Sequence, residues 1–312
     1  FVCYVCHDIF WLTGPENRFA FRRLQSFFAQ GRNIFPTTQT MQPLPAILPT
    51  EGRHVIHLLF RVEHGQWDLL DKSSRISAKT ALAELVREIR STPDTQLLIF
   101  SMVTPKADLG FMLITPDLHL ADSFSKRLAV ALGPDILSPA FSWLSMTERS
   151  EYTTSDEEYA LSLEKEEQLT AGTPAFEEKM DAFRKRMTKY LKDRLEPNLP
   201  DWPVVCLYPM SKRRVPGQNW YALDFEARKK LMAGHARVGR TYSGRILQLI
   251  TGSTGLDDDE WFVTLFSKTT SDIKAIVYEM RFDEVSAQYA DFGEFFIGLQ
   301  LPLDALYSRL GL

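Results

Sequence analysis

The sequence predicts an α+β fold of tandem ferredoxin-like repeats, two β-α-β-β-α-β units whose antiparallel sheets pack face to face or close into a barrel with the helices outside. Three observations predict it. Short apolar stretches bounded by turn residues alternate with longer stretches whose apolar residues recur at three- and four-residue spacing, so strands separate from helices by period. The order over residues 54–148 is strand, helix, strand, strand, helix, strand. The same order returns over residues 203–301. One such unit covers one sheet face with its helices and leaves the other bare, whereas two units can cover each other. The interior between the sheets is therefore the expected place for a flat ligand.

In the first unit, HVIHLLFRV (54–62) reads as a strand and SAKTALAELVREI (77–89) as an amphipathic helix. TQLLIFSMV (95–103) and LGFMLI (109–114) follow as strands. PDLHLADSFSKRLAVAL (116–132) is a helix with a proline near its first turn, and PAFSWLSMTE (139–148) is the closing strand. SEYTTSDEEYALSLEKEEQL (150–169) reads as a solvated acidic connector. Pro174 to Arg194 has Phe176, Met180, Phe183, Met187 and Tyr190 at helical spacing. The second unit repeats the pattern with strand 203–210, helix 224–240, strands 244–253 and 260–268, helix 271–282 and strand 293–301. TGSTGLDDDEW between two of these strands is a hairpin turn; it lacks the residues of a phosphate or calcium loop.

Residues 1–50 lack steady periodicity and end in a proline-rich stretch, so they are read as an N-terminal extension, disordered or artefactual, with Met41 a natural start for the folded part. The remaining divisions are a first unit (51–150), a connector and helix (151–200) and a second, ligand-binding unit (201–312). Of the 312 residues, 45% are hydrophobic and 24% charged, with a formal net charge of -4 and no polybasic stripe, which argues against nucleic acid as a partner. No window approaches the roughly 18 apolar residues that a membrane-spanning helix needs. Three cysteines form no disulfide framework, which fits a reducing, cytoplasmic setting.

Candidate chemistry concentrates in the second unit. His235 lies on the apolar stripe Leu231, His235, Val238, Tyr242, where a desolvated imidazole favours its neutral, metal-binding form; a hydrogen-bonded core histidine is the plainer alternative. Gln248, in a strand apolar on both faces, is expected to be a buried carboxamide in need of partners. Tyr208 and Lys212 share a face if the chain stays extended through YPMSK, which sets a phenol beside a cation. Arg281 falls at a helix C-terminus and Ser286 in the loop after it, and together they suit an anion or, for the arginine, the helix dipole alone. Cys3-Tyr4-Val5-Cys6-His7 matches the C-x-x-C-H attachment sequence of c-type haem, but no small helical domain surrounds it.

YPMSKRR (208–214), NWY (219–221), GHARVGRTYSG (234–244), LQLITGSTGLDDDEWFVTLF (247–266) and YEMRFDEVSAQYADFGEFFIG (278–298) together resemble the coproheme decarboxylases of the chlorite dismutase superfamily. The resemblance covers about a hundred residues in five ordered blocks, with weaker agreement at SWLSMTERSEY and none over residues 1–45. It implies the duplicated ferredoxin-like fold, a homopentamer, a ferrochelatase-type partner that delivers the porphyrin, and hydrogen peroxide as oxidant. Iron-coproporphyrin III (coproheme) would be both substrate and redox cofactor, and haem b the product. By the same resemblance His235 is the proximal iron ligand, Tyr208 the redox-active tyrosine and Lys212 its cationic neighbour. Arg194, Arg281 and Ser286 are propionate anchors, and Gln248 is the distal residue where chlorite dismutases carry arginine. Glu196 departs from the pattern and takes no role. The alternatives are a chlorite dismutase, a haem peroxidase, or a non-catalytic haem carrier or sensor.

Overall fold

The computed structural model describes residues 44–312. The Cys3–His7 motif, Met41 and most of the expected extension lie outside the described residues. The expected boundary at residue 50 falls too late, because Ile47 exchanges hydrogen bonds with Asp117 and the Leu118 amide.

The first repeat runs β1 (His54–Val62), α1 (His64–Leu69), α2 (Lys72–Ser91), β2 (Gln96–Met102), β3 (Leu109–Thr115), α3 (Leu118–Ala129), β4 (Leu137–Met146). Helix α2 starts earlier than its apolar period suggests because Asp71 caps it, its carboxylate accepting from the Ser74 amide. Pro116 stands just before the capping Asp117 of α3, outside the helix. The acidic connector contains a helix, α4 (Asp156–Glu166), which charge alone concealed: Ser155 and Glu158 form a reciprocal capping box and Leu163 is fully buried. Helix α5 (Pro174–Leu195) buries Phe176, Met180 and Phe183 but leaves Tyr190 exposed.

The second repeat runs β5 (Val204–Lys212), the short strands β6 (Arg214–Val215) and β7 (Gln218–Asn219), α6 (Phe225–Thr241), β8 (Ile246–Gly252), β9 (Trp261–Ser267), α7 (Thr270–Met280), α8 (Glu284–Tyr289), β10 (Ala290–Phe292) and β11 (Phe296–Gln300), then α9 (Leu303–Leu310). Ser286 therefore sits in a short helix rather than a loop. Helix α9 was not legible as an element; it packs Leu306, Tyr307 and Leu310 into the first repeat's core.

The strands are ordered β4-β1-β3-β2 in the first repeat and β11-β5-β9-β8 in the second, the same ferredoxin-like arrangement twice. The fourth strand of each repeat pairs with the second strand of the other, β11 with β2 and β4 with β8, so one antiparallel sheet closes on itself. The β4–β8 seam has one registered pair, Met146 with Gly252. Side chains reinforce it: Thr251 donates to Ser145, and Asp257 accepts from the Leu144 amide.

Closure corrects the expected ligand position. Val55, Leu59, Phe100, Met112, Trp143, Val205, Phe262, Phe266 and Phe296, drawn from both repeats, fill the barrel interior. His57 joins them, fully buried, its ring tilted against Phe262 with centroids 4.2 Å apart and bonded through Nε2 to the Thr264 hydroxyl. Burial pushes its pKa down to about 3, because nothing nearby compensates the desolvation of an imidazolium. A flat ligand has no room there.

Candidate functional site: a pocket between sheet and helices

The alternation of β5 sends Val205 and Leu207 into the barrel and Cys206, Tyr208 and Met210 outward, under α6 and α7. Strand β9 likewise sends Val263 and Leu265 outward, and β8 sends Ile246, Gln248 and Ile250. Here the layer is hollow. An open pocket is bounded by Tyr208, Met210, Gln248, Ile250, Val263 and Leu265 on the sheet side, and by His235, Ile276, Val277, Met280, Arg281, Ser286 and Phe292 opposite and at its edge. The apolar walls with a few polar groups suit a small-molecule or cofactor site.

The hollow follows from α6. Its only cavity-facing positions are His235 and, one turn on, Gly239, which has no side chain to fill the space beside Met280 and Gln248; Leu231, His235 and Val238 of the expected stripe are half-buried, and Tyr242 at the helix's C-cap is buried. Gln248 is exposed, which corrects its expected burial: the open cavity leaves its carboxamide uncovered.

The geometry selects one imidazole tautomer. Nδ1 of His235 donates to Asp283 Oδ2 at 2.8 Å, which leaves Nε2 with its lone pair free to bind a metal. Asp283 also caps α8, accepting from the Ser286 amide at 3.2 Å and its hydroxyl at 3.4 Å. Burial would raise the Asp283 carboxyl, but the hydrogen bond and charge of His235, with help from Ser286, outweigh it and hold it below its ordinary value. Sequence reasoning missed Asp283. Its position three residues before Ser286 announced a helix cap, but a partner 48 residues away left no local signal.

Tyr208 is buried and stacks on Phe295 with ring centroids 4.3 Å apart. Burial pushes its phenol well above the ordinary range, with the thiol of Cys206 adding to the effect and Arg281 opposing it. The guanidinium of Arg281 lies 4.0 Å from the Phe292 ring centroid. Lys212 shares the strand and face of Tyr208, as expected, yet is not part of the cavity wall. Its ammonium packs 4.3 Å from the Trp220 ring centroid, and burial lowers it to about 8 against the opposing pull of Asp283 and Glu260. Arg194 also stands outside the lining, its Nε donating to the Glu148 carbonyl at 2.8 Å. The structure thus brings Tyr208, His235, Gln248, Arg281 and Ser286 to one cavity and leaves Lys212 and Arg194 behind or beside it.

Among the described residues no three of His, Cys, Asp and Glu gather as a metal site. An iron held by His235 would take its other donors from a ligand, and the apolar cavity with Arg281 and Ser286 at its edge fits an iron porphyrin carrying carboxylates.

The chlorite dismutase family profile matches residues 75–301. The chain belongs to the chlorite dismutase family. A solved heme-binding protein from Thermus thermophilus is 35% identical, with a TM-score of 0.70 over 87% of this chain and 99% of that one. A Halobacterium salinarum protein named for heme binding is 35% identical over 255 residues, 81% of this chain; the chain spans about half, 48%, of that curated relative's length. The chlorite dismutase of Candidatus Nitrospira defluvii, solved with imidazole, shares the fold at 19% identity and a TM-score of 0.62, covering 85% of this chain and 97% of its own. No helix among the described residues is long and apolar enough to cross a membrane.

Proposed function

We propose that this protein oxidatively decarboxylates two propionates of iron-coproporphyrin III to vinyl groups with hydrogen peroxide, giving haem b. The observation that carries the reading is the convergence of His235 and Tyr208 on one apolar cavity with Arg281 and Ser286. A haem carrier needs the first and the last two but has no use for a buried phenol on the cavity wall. Gln248, in place of the arginine of chlorite dismutases, favours peroxide over chlorite as the co-substrate.

Each propionate loses carbon dioxide, a proton and two electrons, and each peroxide takes up two electrons and two protons to become two waters. When bound, the iron porphyrin supplies the redox chemistry with peroxide. The chain's own residues do the rest. His235, oriented by Asp283, would hold the iron through Nε2. Tyr208 is protonated at neutral pH, as an ordinary phenol is, and burial only strengthens this, so it has a hydrogen atom to give and, as a radical, to regain from the propionate carbon. Lys212, with a pKa near 8, can exchange a proton near neutral pH without a large penalty. Arg281 and Ser286 anchor carboxylates, Arg194 takes part from the flank, and apolar walls exclude water from the radical. A cytoplasmic homopentamer supplied by a ferrochelatase-type partner completes the proposal.

Tyr208→Phe tests it. Phenylalanine keeps the ring volume and the stacking on Phe295, and loses at most a hydrogen bond to a bound propionate, worth about 0.5 to 1.5 kcal/mol. The variant is expected to bind coproheme and fail to release carbon dioxide, read by mass spectrometry of the bound porphyrin during peroxide titration. Conversion at the wild-type rate would refute the radical role.

A further inference from the structure

Gly239 follows His235 by four residues, one turn along the same face of α6. A Cβ placed there would lie 3.5 Å from Met280 Cε and 3.6 Å from Gln248 Nε2, ordinary van der Waals separations to two residues of the cavity wall. The backbone is helical, so no left-handed conformation demands glycine. Nor does packing demand it, since a methyl group would fit against the protein alone. Yet glycine is the poorest residue after proline for a helix interior. What accounts for it must be something the cavity receives.

We propose that Gly239 determines the shape of ligand the pocket accepts: the space a side chain would take, between Met280 and Gln248, is reserved for the rim of a flat macrocycle ligated at His235. A larger residue at this position closes the slot from the helix side while leaving His235, Asp283 and the anchors in place. Gly234, whose added Cβ would meet nothing within 4 Å, differs in this respect and serves as the comparison. The proposal rests on the haem reading above and deepens it by naming a specificity-determining residue.

The test uses the full chain without porphyrin, titrated with iron coproporphyrin III and followed by its absorption, alongside thermal unfolding of the ligand-free protein. Gly234→Ala and Gly239→Ala are both expected to raise the ligand-free unfolding midpoint, by about 2 to 4 °C if each recovers the full helix preference. Affinity is expected to hold in Gly234→Ala, to fall in Gly239→Ala, and to fall about tenfold or more in Gly239→Leu. Equal affinity of wild type, Gly239→Ala and Gly239→Leu would overturn the proposal and leave the haem reading intact. A lowered midpoint in Gly239→Ala would also overturn it, by showing that the protein's own packing needs glycine. Failure of the wild type to bind any iron porphyrin would instead sink the haem reading itself. Should Gly239→Leu not fold, the alanine variant decides alone.

Discussion

The two repeats share one topology and differ in the layer between sheet and helices. In the first, α2 contributes Leu82, Leu85, Val86 and Ile89 and α3 contributes Ala121, Phe124 and Leu128, which meet Ile56, Phe60, Phe111 and Leu113 of the sheet in a closed core. In the second, α6 offers only His235 and Gly239 over Tyr208, Met210, Gln248 and Val263, and the layer stays open. A binding site here is a core whose helix side was left unfilled. Duplication lets the first repeat supply stability while the second keeps a void that would be costly in a lone domain.

The shared barrel interior is the place to challenge this contrast hardest. If both repeats lean on it equally, protonating His57 should destabilise the whole molecule. Its folded pKa, about 3, lies below its ordinary 6.5, so the unfolded chain binds the extra proton and stability is lost as pH falls between those values. The loss is expected to be on the order of 4 to 5 kcal/mol, from about 1.36 kcal/mol per unit. Urea midpoints measured from about pH 7 to pH 3 should show this drop, and His57→Gln should flatten it.

Equivalent strands then compare the layers directly. Phe111→Ala in β3, within the packed layer, is expected to cost about 3 to 5 kcal/mol. Val263→Ala in β9, beside the existing cavity, should cost about 1 to 2 kcal/mol, because its wall already lacks partners on one side. Similar costs in denaturant titrations would mean that the second layer is as tightly packed as the first.

Lys212 should reveal strain accepted for function. Its folded pKa is lowered from 10.5 to about 8, so the native state binds fewer protons over that interval and stability should rise from about pH 8 to pH 10, by no more than about 3 kcal/mol. Lys212→Met should abolish the rise and slow decarboxylation. A rise that persists in the variant would assign the effect to another group.

Smaller still is the expected effect of His235→Ala on the ligand-free protein, about 1 to 2 kcal/mol, because the half-buried ring is lost together with its hydrogen bond to the buried Asp283 carboxylate. Its signature is spectroscopic: the iron spectrum of the bound porphyrin should change. Gln248→Leu should change least, altering peroxide reactivity more than porphyrin affinity; collapse of affinity with normal peroxide kinetics would place Gln248 at the porphyrin's carboxylates.

The element order and the two-repeat architecture were legible because period and turn chemistry are local properties of the chain. Strands β1, β3 and β5 and helices α5 and α6 lie within a few residues of their expected bounds. Helix α4 escaped because its charges read as solvent exposure, whereas its stability comes from the Ser155–Glu158 capping box and one buried leucine. Tyr208, His235, Arg281 and Ser286 were named from residue type, spacing and resemblance, and the fold gathers them.

What the sequence determined by itself was the pattern of faces: which residues alternate outward on β5 and which turn of α6 carries His235. Only the tertiary structure decided which of the two sheet faces holds the ligand cavity. Aromatic side chains from both repeats meet across the closed barrel and fill it, while Gly239 and the half-buried His235 of α6 leave the outer layer open. That outcome depends on side-chain volumes summed across strands and helices far apart in the chain, as does the Asp283 carboxylate that orients His235. Local periodicity records direction; the space left between directions appears only when the pieces are packed.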